Sequence, residues 1–149
     1  MRKTGITPSL PCDAAELIPH RPPMRLVDRL VHKGEETEAD PTVIEAVVPE
    51  AGPFVGDAGL EPEYFIEVMA QSVAAGDGFP PESDTPPATG FLAGIDTFSW
   101  YATARPGDRL EVRVFKVFEF GSAFIFEGVI TRAGERIAAG RLKIWRAER

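Results

Sequence analysis

The stretch Glu61-Pro62-Glu63-Tyr64-Phe65-Ile66-Glu67-Val68-Met69-Ala70-Gln71-Ser72-Val73-Ala74-Ala75-Gly76 decides the architecture. Pro62 suits a first helical turn, where a missing N–H costs nothing, and Gly76 reads as the C-terminal stop. At 100° per residue Glu63, Glu67 and Gln71 follow one another in i+4 steps and form one narrow polar stripe. Tyr64, Phe65, Val68, Met69, Val73 and Ala75 cover most of the remaining circumference. A surface helix carries a much broader charged face, so this helix is expected to be buried on nearly all sides. Glu67 lies mid-stripe between Ile66 and Val68, where a carboxylate must find a partner, reach water or stay protonated. For a lone Glu on a helix the default reading is a stripe that touches solvent, so the rest of the chain must decide.

Downstream, Phe79 to Pro87 is proline-rich and reads as a stiff connection rather than a ligand segment, since it is short and lies between packed elements. Four strands follow. Thr89 to Tyr101 is apolar on both faces, as a central strand would be. Arg105-Pro106-Gly107-Asp108 places Pro and Gly where a type II turn wants them. Leu110 to Phe120 alternates and then slips phase near Phe115 and Lys116, which predicts a bulge. Gly121-Ser122 suits a II′ hairpin turn into Ala123 to Thr131, and Ala133-Gly134 turns the chain again into Arg136 to Trp145. In that last strand Ala138, Gly140, Leu142 and Ile144 share one face, while Arg141 and Lys143 share the other with Trp145.

Upstream, Thr42 to Val48 is β-branched and stops at Pro49, which makes it a strand. Met24, Leu26 and Leu30 alternate with charges in a short strand-like piece after three prolines. Residues 1–16 have no clear periodicity and are expected to trail along the surface. Ala51 to Leu60 is an irregular, glycine-rich lead into the helix. His32, before Lys33-Gly34, reads as an exposed turn residue. The sum is an α+β fold: a curved antiparallel sheet wrapped around one long buried helix, in a single domain over residues 1–149. The aromatic residues on the sheet's other face need cover, which points to a second subunit.

Composition narrows the function. The chain of 149 residues is long enough for one cored domain and short for two. A net charge of −7 argues against a non-specific nucleic-acid binder. Glu67 and Gln71 interrupt the most apolar run, so no membrane span is expected. The basic start, Met1-Arg2-Lys3, is followed by no apolar segment, so no signal peptide is read there. One cysteine, Cys12, excludes an internal disulfide and fits the cytoplasm. One Cys and two His make a metal site unexpected.

Four pieces together resemble the hot-dog-fold (3R)-hydroxyacyl-acyl-carrier-protein dehydratases. They are Leu17-Ile18-Pro19-His20-Arg21-Pro22-Pro23-Met24 leading into Leu26-Val27-Asp28-Arg29, then Ile66-Glu67-Val68-Met69-Ala70-Gln71, Phe91 to Asp96, and Arg105-Pro106-Gly107-Asp108. The helix opening Tyr64 to Gln71 looks closest to the divergent branch found in aryl-polyene lipid gene clusters. The resemblance implies a hot-dog fold, no cofactor, and an acyl thioester carried by acyl carrier protein as substrate. It also implies a dimer, either of this chain or with a related hot-dog chain, in which a loop His of one subunit meets the helix Glu of the other. Glu67 aligns with the family's helix carboxyl and Gln71 with its hydrogen-bonding neighbour. The family loop His-Phe-Pro-Gly aligns with Pro53-Phe54-Val55-Gly56, so Phe54 and Gly56 are the expected substrate-binding positions and the catalytic His is replaced by Pro53.

Three readings follow. The chain is a dehydratase whose base has moved, with His20 the family-matched imidazole available, although a His between Pro19 and Arg21 is more often a structural hydrogen-bonding residue and supports structure near the site in the family. It is a non-catalytic or half-catalytic subunit that pairs with a His-bearing homologue. Or it is a hot-dog thioesterase, in which Glu67 would activate a hydrolytic water. An acidic carrier partner would also ask for a basic patch near the site, with Arg21, Arg25, Arg105, Arg109 and Arg132 as candidates.

Overall fold

The computed structural model describes residues 9–57, 59–81 and 90–146. Its elements are β1 (Cys12–Asp13), β2 (Arg29–His32), β3 (Thr42–Val47), β4 (Val55–Gly56), β5 (Gly59–Leu60), α1 (Glu63–Asp77), β6 (Gly90–Trp100), β7 (Arg109–Phe120), β8 (Ala123–Arg132) and β9 (Glu135–Arg146). Seven strands form one antiparallel sheet in the order β1-β2-β3-β7-β8-β9-β6, and β4 pairs with β5 in a separate small hairpin. Helix α1 enters the sequence between β5 and β6 and lies against β2, β3, β6, β7, β8 and β9. This is the sheet-around-a-helix arrangement that the sequence pattern implies.

Strand alternation explains which face meets the helix. Leu110, Val112 and Val114 of β7 are buried there, as are Phe124, Phe126 and Ile130 of β8 and Leu142 and Ile144 of β9. Tyr64, Phe65, Val68 and Met69 fill the same core from α1. Helix and sheet approach closely at Gly128, where a Cβ would come within 3.0 Å of Met69 Sδ. The turns have the expected geometry. Gly107 has φ +88° and Asp108 N–H donates to Arg105 O at 3.0 Å, while Gly121 has φ +60°. Ala133 and Gly134 both take positive φ, as a type I′ hairpin requires. The phase slip in β7 is a register shift between Lys116 and Phe118.

Five expectations need correction. Gly76 does not stop the helix: α1 runs to Asp77, and the Gly78 N–H closes it on Ala74 O at 3.0 Å. Gly76 is small because Thr42 packs on it, with Thr42 Cγ2 3.2 Å from where a Cβ would stand. Strand β6 is not central but forms the sheet edge, and Leu92, Ile95 and Trp100 are exposed there. Of residues 1–16, those from Cys12 onward are tied in, because β1 pairs with β2 and Ala14 is wholly buried. The strand-like piece at Met24 to Leu30 becomes strand only from Arg29, since Met24 and Arg25 N–H both turn back to Arg21 O. His32 closes β2 rather than a turn, and its Nε2 lies 2.8 Å from Asp40 Oδ1. The proline-rich connection and Thr89 fall largely outside the described residues.

An acidic residue at a helix C-terminus opposes the helix dipole, yet α1 ends on Asp77. Arg146 answers it from the end of β9, with Nη2 2.5 Å from Asp77 Oδ1 and its guanidinium 4.3 Å from the Phe124 ring centroid. Burial nonetheless pushes the Asp77 carboxyl above its ordinary pKa. Helix position thus rests on Gly128 at its middle and Arg146 at its end. Gly128→Val should overpack the Met69 contact and lower stability by about 1–3 kcal/mol, read as a reduced midpoint in urea denaturation at unchanged slope.

Candidate active site

Gln71 is 1% exposed and lies one helical turn after Glu67. A buried primary amide must satisfy an acceptor and two donors, and Gln71 does so across two elements. Its Oε1 accepts the Leu26 N–H at 2.8 Å, and its Nε2 donates to Met24 O at 2.8 Å and to Glu67 Oε2 at 3.1 Å. One side chain therefore ties the loop after Pro22-Pro23 to the helix and orients the Glu67 carboxylate, which is half-buried. Leu26 and Val27 sink into the core beside this clamp.

The other expected site residues are placed differently. Phe54 packs edge-on against Tyr64, ring centroids 6.4 Å apart, and its carbonyl accepts the Glu61 N–H at 2.8 Å. Gly56 pairs with Gly59 across the β4–β5 hairpin, and its nearest side-chain oxygen is Glu61 Oε1 rather than Glu67. Pro53 is exposed on the same loop. His20 is half-buried, its Nδ1 has no hydrogen-bond partner among the described residues, and no hydrogen bond joins it to Glu67. Hydrogen bonds thus join Glu67 with Gln71 and the 24–26 loop, and among the described residues none joins His20 or Gly56 to that cluster.

Several of the candidate arginines already have partners within the chain. Arg132 bonds Thr103 O and pairs with Asp108 and Glu135, and Arg109 pairs with Glu45. Arg21 turns back to the carbonyls of Ile18 and His20. Arg25 alone of these lines a cleft of about 430 Å³, together with Pro22, Leu26, Asp28, Val47 and Glu50.

Asp28 is the residue that sequence reasoning passed over. It sits in Leu26-Val27-Asp28-Arg29, quoted only as a family signature, where a charge between a buried valine and a strand could have drawn notice. Its Oδ2 accepts the Val47 N–H at 2.7 Å, joining the loop to β3. Burial is the main cause of its raised pKa, opposed by that hydrogen bond and by Arg25. Tyr64, on the clamp's side of the helix, is wholly buried with no hydrogen-bond partner for its hydroxyl among the described residues. Its pKa is pushed up, mainly by burial and then by Asp28.

The sequence matches the family described as ApeP dehydratase over residues 12–149. It is 31% identical over 142 residues to the 3-hydroxyacyl-[acyl-carrier-protein] dehydratase FabZ of Anaeromyxobacter sp. strain K, covering 90% of this chain and 88% of the relative. It is 29% identical over 134 residues to FabZ of Campylobacter lari, covering 86% and 90%. Among solved structures, the dehydratase heterocomplex ApeI:P from Xenorhabdus doucetiae superposes with a TM-score of 0.75 at 24% identity, over 95% of this chain and 93% of that one. A hypothetical thioesterase with coenzyme A from Streptococcus pneumoniae superposes at 0.60 and 10% identity, over 83% and 85%. Such structural likenesses carry the hot-dog fold alone.

Wrapped sheet, central helix and family match define a hot-dog protein of the dehydratase type. The chain belongs to the ApeP-like dehydratase family. Among the described residues no helix is long and apolar enough to cross a membrane, and no His, Cys, Asp and Glu cluster could hold a metal ion.

Two outcomes test this arrangement. Gln71→Leu should leave the Leu26 N–H and Met24 carbonyl unpaired, at about 1–3 kcal/mol for each buried group, measured by urea unfolding. A raised Asp28 pKa contributes stability below its unfolded value that is lost as pH rises through the folded value. Asp28→Asn, which keeps the acceptor for Val47 N–H, should therefore gain in melting temperature relative to wild type between pH 4 and pH 7. A difference that shrinks over that range contradicts the assignment.

Proposed function

We propose that this chain is one hot-dog domain that supplies the carboxylate half of a dehydratase site for 3-hydroxyacyl thioesters of acyl carrier protein, acting in the cytoplasm. In the reaction the family resemblance implies, an imidazole takes the α-proton of the thioester. Backbone N–H groups at the helix start and at Gly56 polarise the carbonyl. The Glu67 carboxyl gives its proton to the departing β-hydroxyl, so that water leaves and an α,β-unsaturated thioester remains. Proton return from imidazolium to carboxylate closes the cycle, and no cofactor enters.

The observation that carries this reading is a Glu67 held by Gln71, and the family resemblance adds a proline at the position it aligns with the base. The carboxylate has its Gln71 orienter at 3.1 Å, whereas Pro53 can neither accept nor deliver a proton. His20, half-buried with its Nδ1 unpartnered among the described residues, is the alternative imidazole. A second hot-dog chain with a His at the Pro53 position would complete the site, and the exposed Leu92, Ile95 and Trp100 of edge strand β6 offer it an apolar seat. One solved relative in fold is itself a dehydratase heterocomplex. The thioesterase reading draws on fold likeness at 10% identity and is not favoured.

Loss of a general base typically lowers a rate about 10²–10⁴-fold. The purified chain alone should therefore turn over a 3-hydroxyacyl-carrier substrate at that disadvantage, and mixing with a His-bearing hot-dog partner should restore the rate. Glu67→Gln should abolish the restored part, and Pro53→His should raise the activity of the single chain. Strong activity of the single chain that His20→Ala destroys would instead make His20 the base and remove the need for a partner.

A further inference from the structure

A second surface is organised away from Glu67. On the sheet face turned from α1, the residues in register across β6, β9, β8 and β7 are Phe91, Trp145, Ala123 and Phe120. Phe91 is 54%, Trp145 48% and Phe120 77% exposed. The next row on the same face is Gly94, Lys143, Ile125 and Phe118, the last 53% exposed. Large exposed apolar patches mark interaction sites, and these aromatic rings stand on β6, β9 and β7 to either side of Ala123 and Ile125 of β8. Further along the face, Arg141 and Glu127 stand opposite each other on β9 and β8, 2.9 Å apart and both partly exposed.

We infer that this face binds a second copy of the chain about a two-fold axis that runs along the strands between β8 and β9. Such an axis reverses every row. Phe91 of one copy meets Phe120 of the other, and Trp145 meets Ala123. In the next row Phe118 faces Gly94, and the Lys143 stem crosses Ile125. Large side chains therefore meet small ones in both rows, at Ala123 and at Gly94. In the charged row each Arg141 faces the Glu127 of the other copy, so two cations and two anions alternate around the axis.

Size and sign together select this operator. A two-fold laid along any one row would set each residue against its own copy, Trp145 on Trp145 in the first row or Arg141 on Arg141 in the charged one. Self-complementarity under a single reversal is the property of an isologous contact, and an unrelated partner has no reason to match it. Sheets packed face to face keep their strands within about 30°, so the pairing of rows holds best at the inner strands β8 and β9. Strand spacing of about 4.8 Å and a rise of about 3.4 Å per residue give the four-strand face a projected width near 19 Å. The contact uses neither Glu67 nor the free edge of β6, so it stands or falls apart from the proposed chemistry.

Sedimentation equilibrium of the purified chain tests it. Wild type should show at least twice the mass of Phe120→Glu, which changes an exposed position and should keep its far-ultraviolet circular dichroism. Glu127→Arg alone and Arg141→Glu alone should each fall to the lower mass. An equimolar mixture of those two variants should return to the wild-type mass, because one copy then offers two cations to the other's two anions. The pair within each chain stays broken in that mixture, so only a contact between copies explains recovery. Wild type at the mass of Phe120→Glu, or a mixture that stays low, overturns the inference. So does a wild-type chain that gains mass through Phe120 only when a different hot-dog chain is added.

Discussion

The Gln71 amide is the constraint on which the site depends. Two backbone groups of opposite kind, the Leu26 N–H and the Met24 carbonyl, point at the same place on the helix, and each lies within 2.8 Å of the amide. A carboxylate there would accept from Leu26 but repel both Met24 O and Glu67, whereas an aliphatic side chain would leave both backbone groups unpaired. The amide is thus the group that holds the loop down and still has a donor left for Glu67. The loop it holds leads into β2, and Asp28 ties the same segment to β3 through the Val47 N–H.

That clamp works because the helix is fixed against the sheet by other means. Gly128 removes the side chain that would push Met69 and the helix outward. Arg146 reaches under the helix end to Asp77 while stacking over Phe124. Strand alternation sends one face of β7, β8 and β9 to this core and the other to the aromatic rows outside. The molecule therefore has two chemically distinct apolar systems, one closed around α1 and one open on the back of the sheet.

Much of this was legible in the sequence because period and turn chemistry are local properties. The helix, the hairpin turns at Gly121 and Ala133-Gly134, and the bulge in β7 all follow from residues a few positions apart. What was not legible depends on contacts distant in sequence. Gly76 looks like a stop signal, and only Thr42, folded in from β3, shows it to be a packing glycine. Strand β6 is apolar on both faces and so reads as central, but apolar content reports that a surface needs cover, not which chain provides it. Residues 12–14 lack periodicity because two strand residues are too few to show one, yet pairing with β2 orders them. In the site, the i+4 spacing brought Glu67 and Gln71 together on paper, while the bonds to Met24 and Leu26 cross 47 and 45 positions and leave no mark on any local pattern.

Glu67 differs from Gln71 in what the fold requires of it. With Gln71 in place, Met24 and Leu26 are satisfied whether or not position 67 carries a charge. A half-buried carboxylate on a helix that is otherwise mostly apolar carries a desolvation penalty, and a well-packed apolar residue would avoid it. Structure alone thus gives little reason for an acid at position 67, whereas the proposed chemistry would give a specific one. Pro53 bears on that proposal. Its ring offers the loop neither an imidazole nor an N–H, while Phe54 packs on Tyr64 and the β4–β5 hairpin closes. On the proposed reading, a proline at the loop position of the base and an acid with its own orienter would together make half a site. The imidazole that such a half lacks would then come from outside the chain.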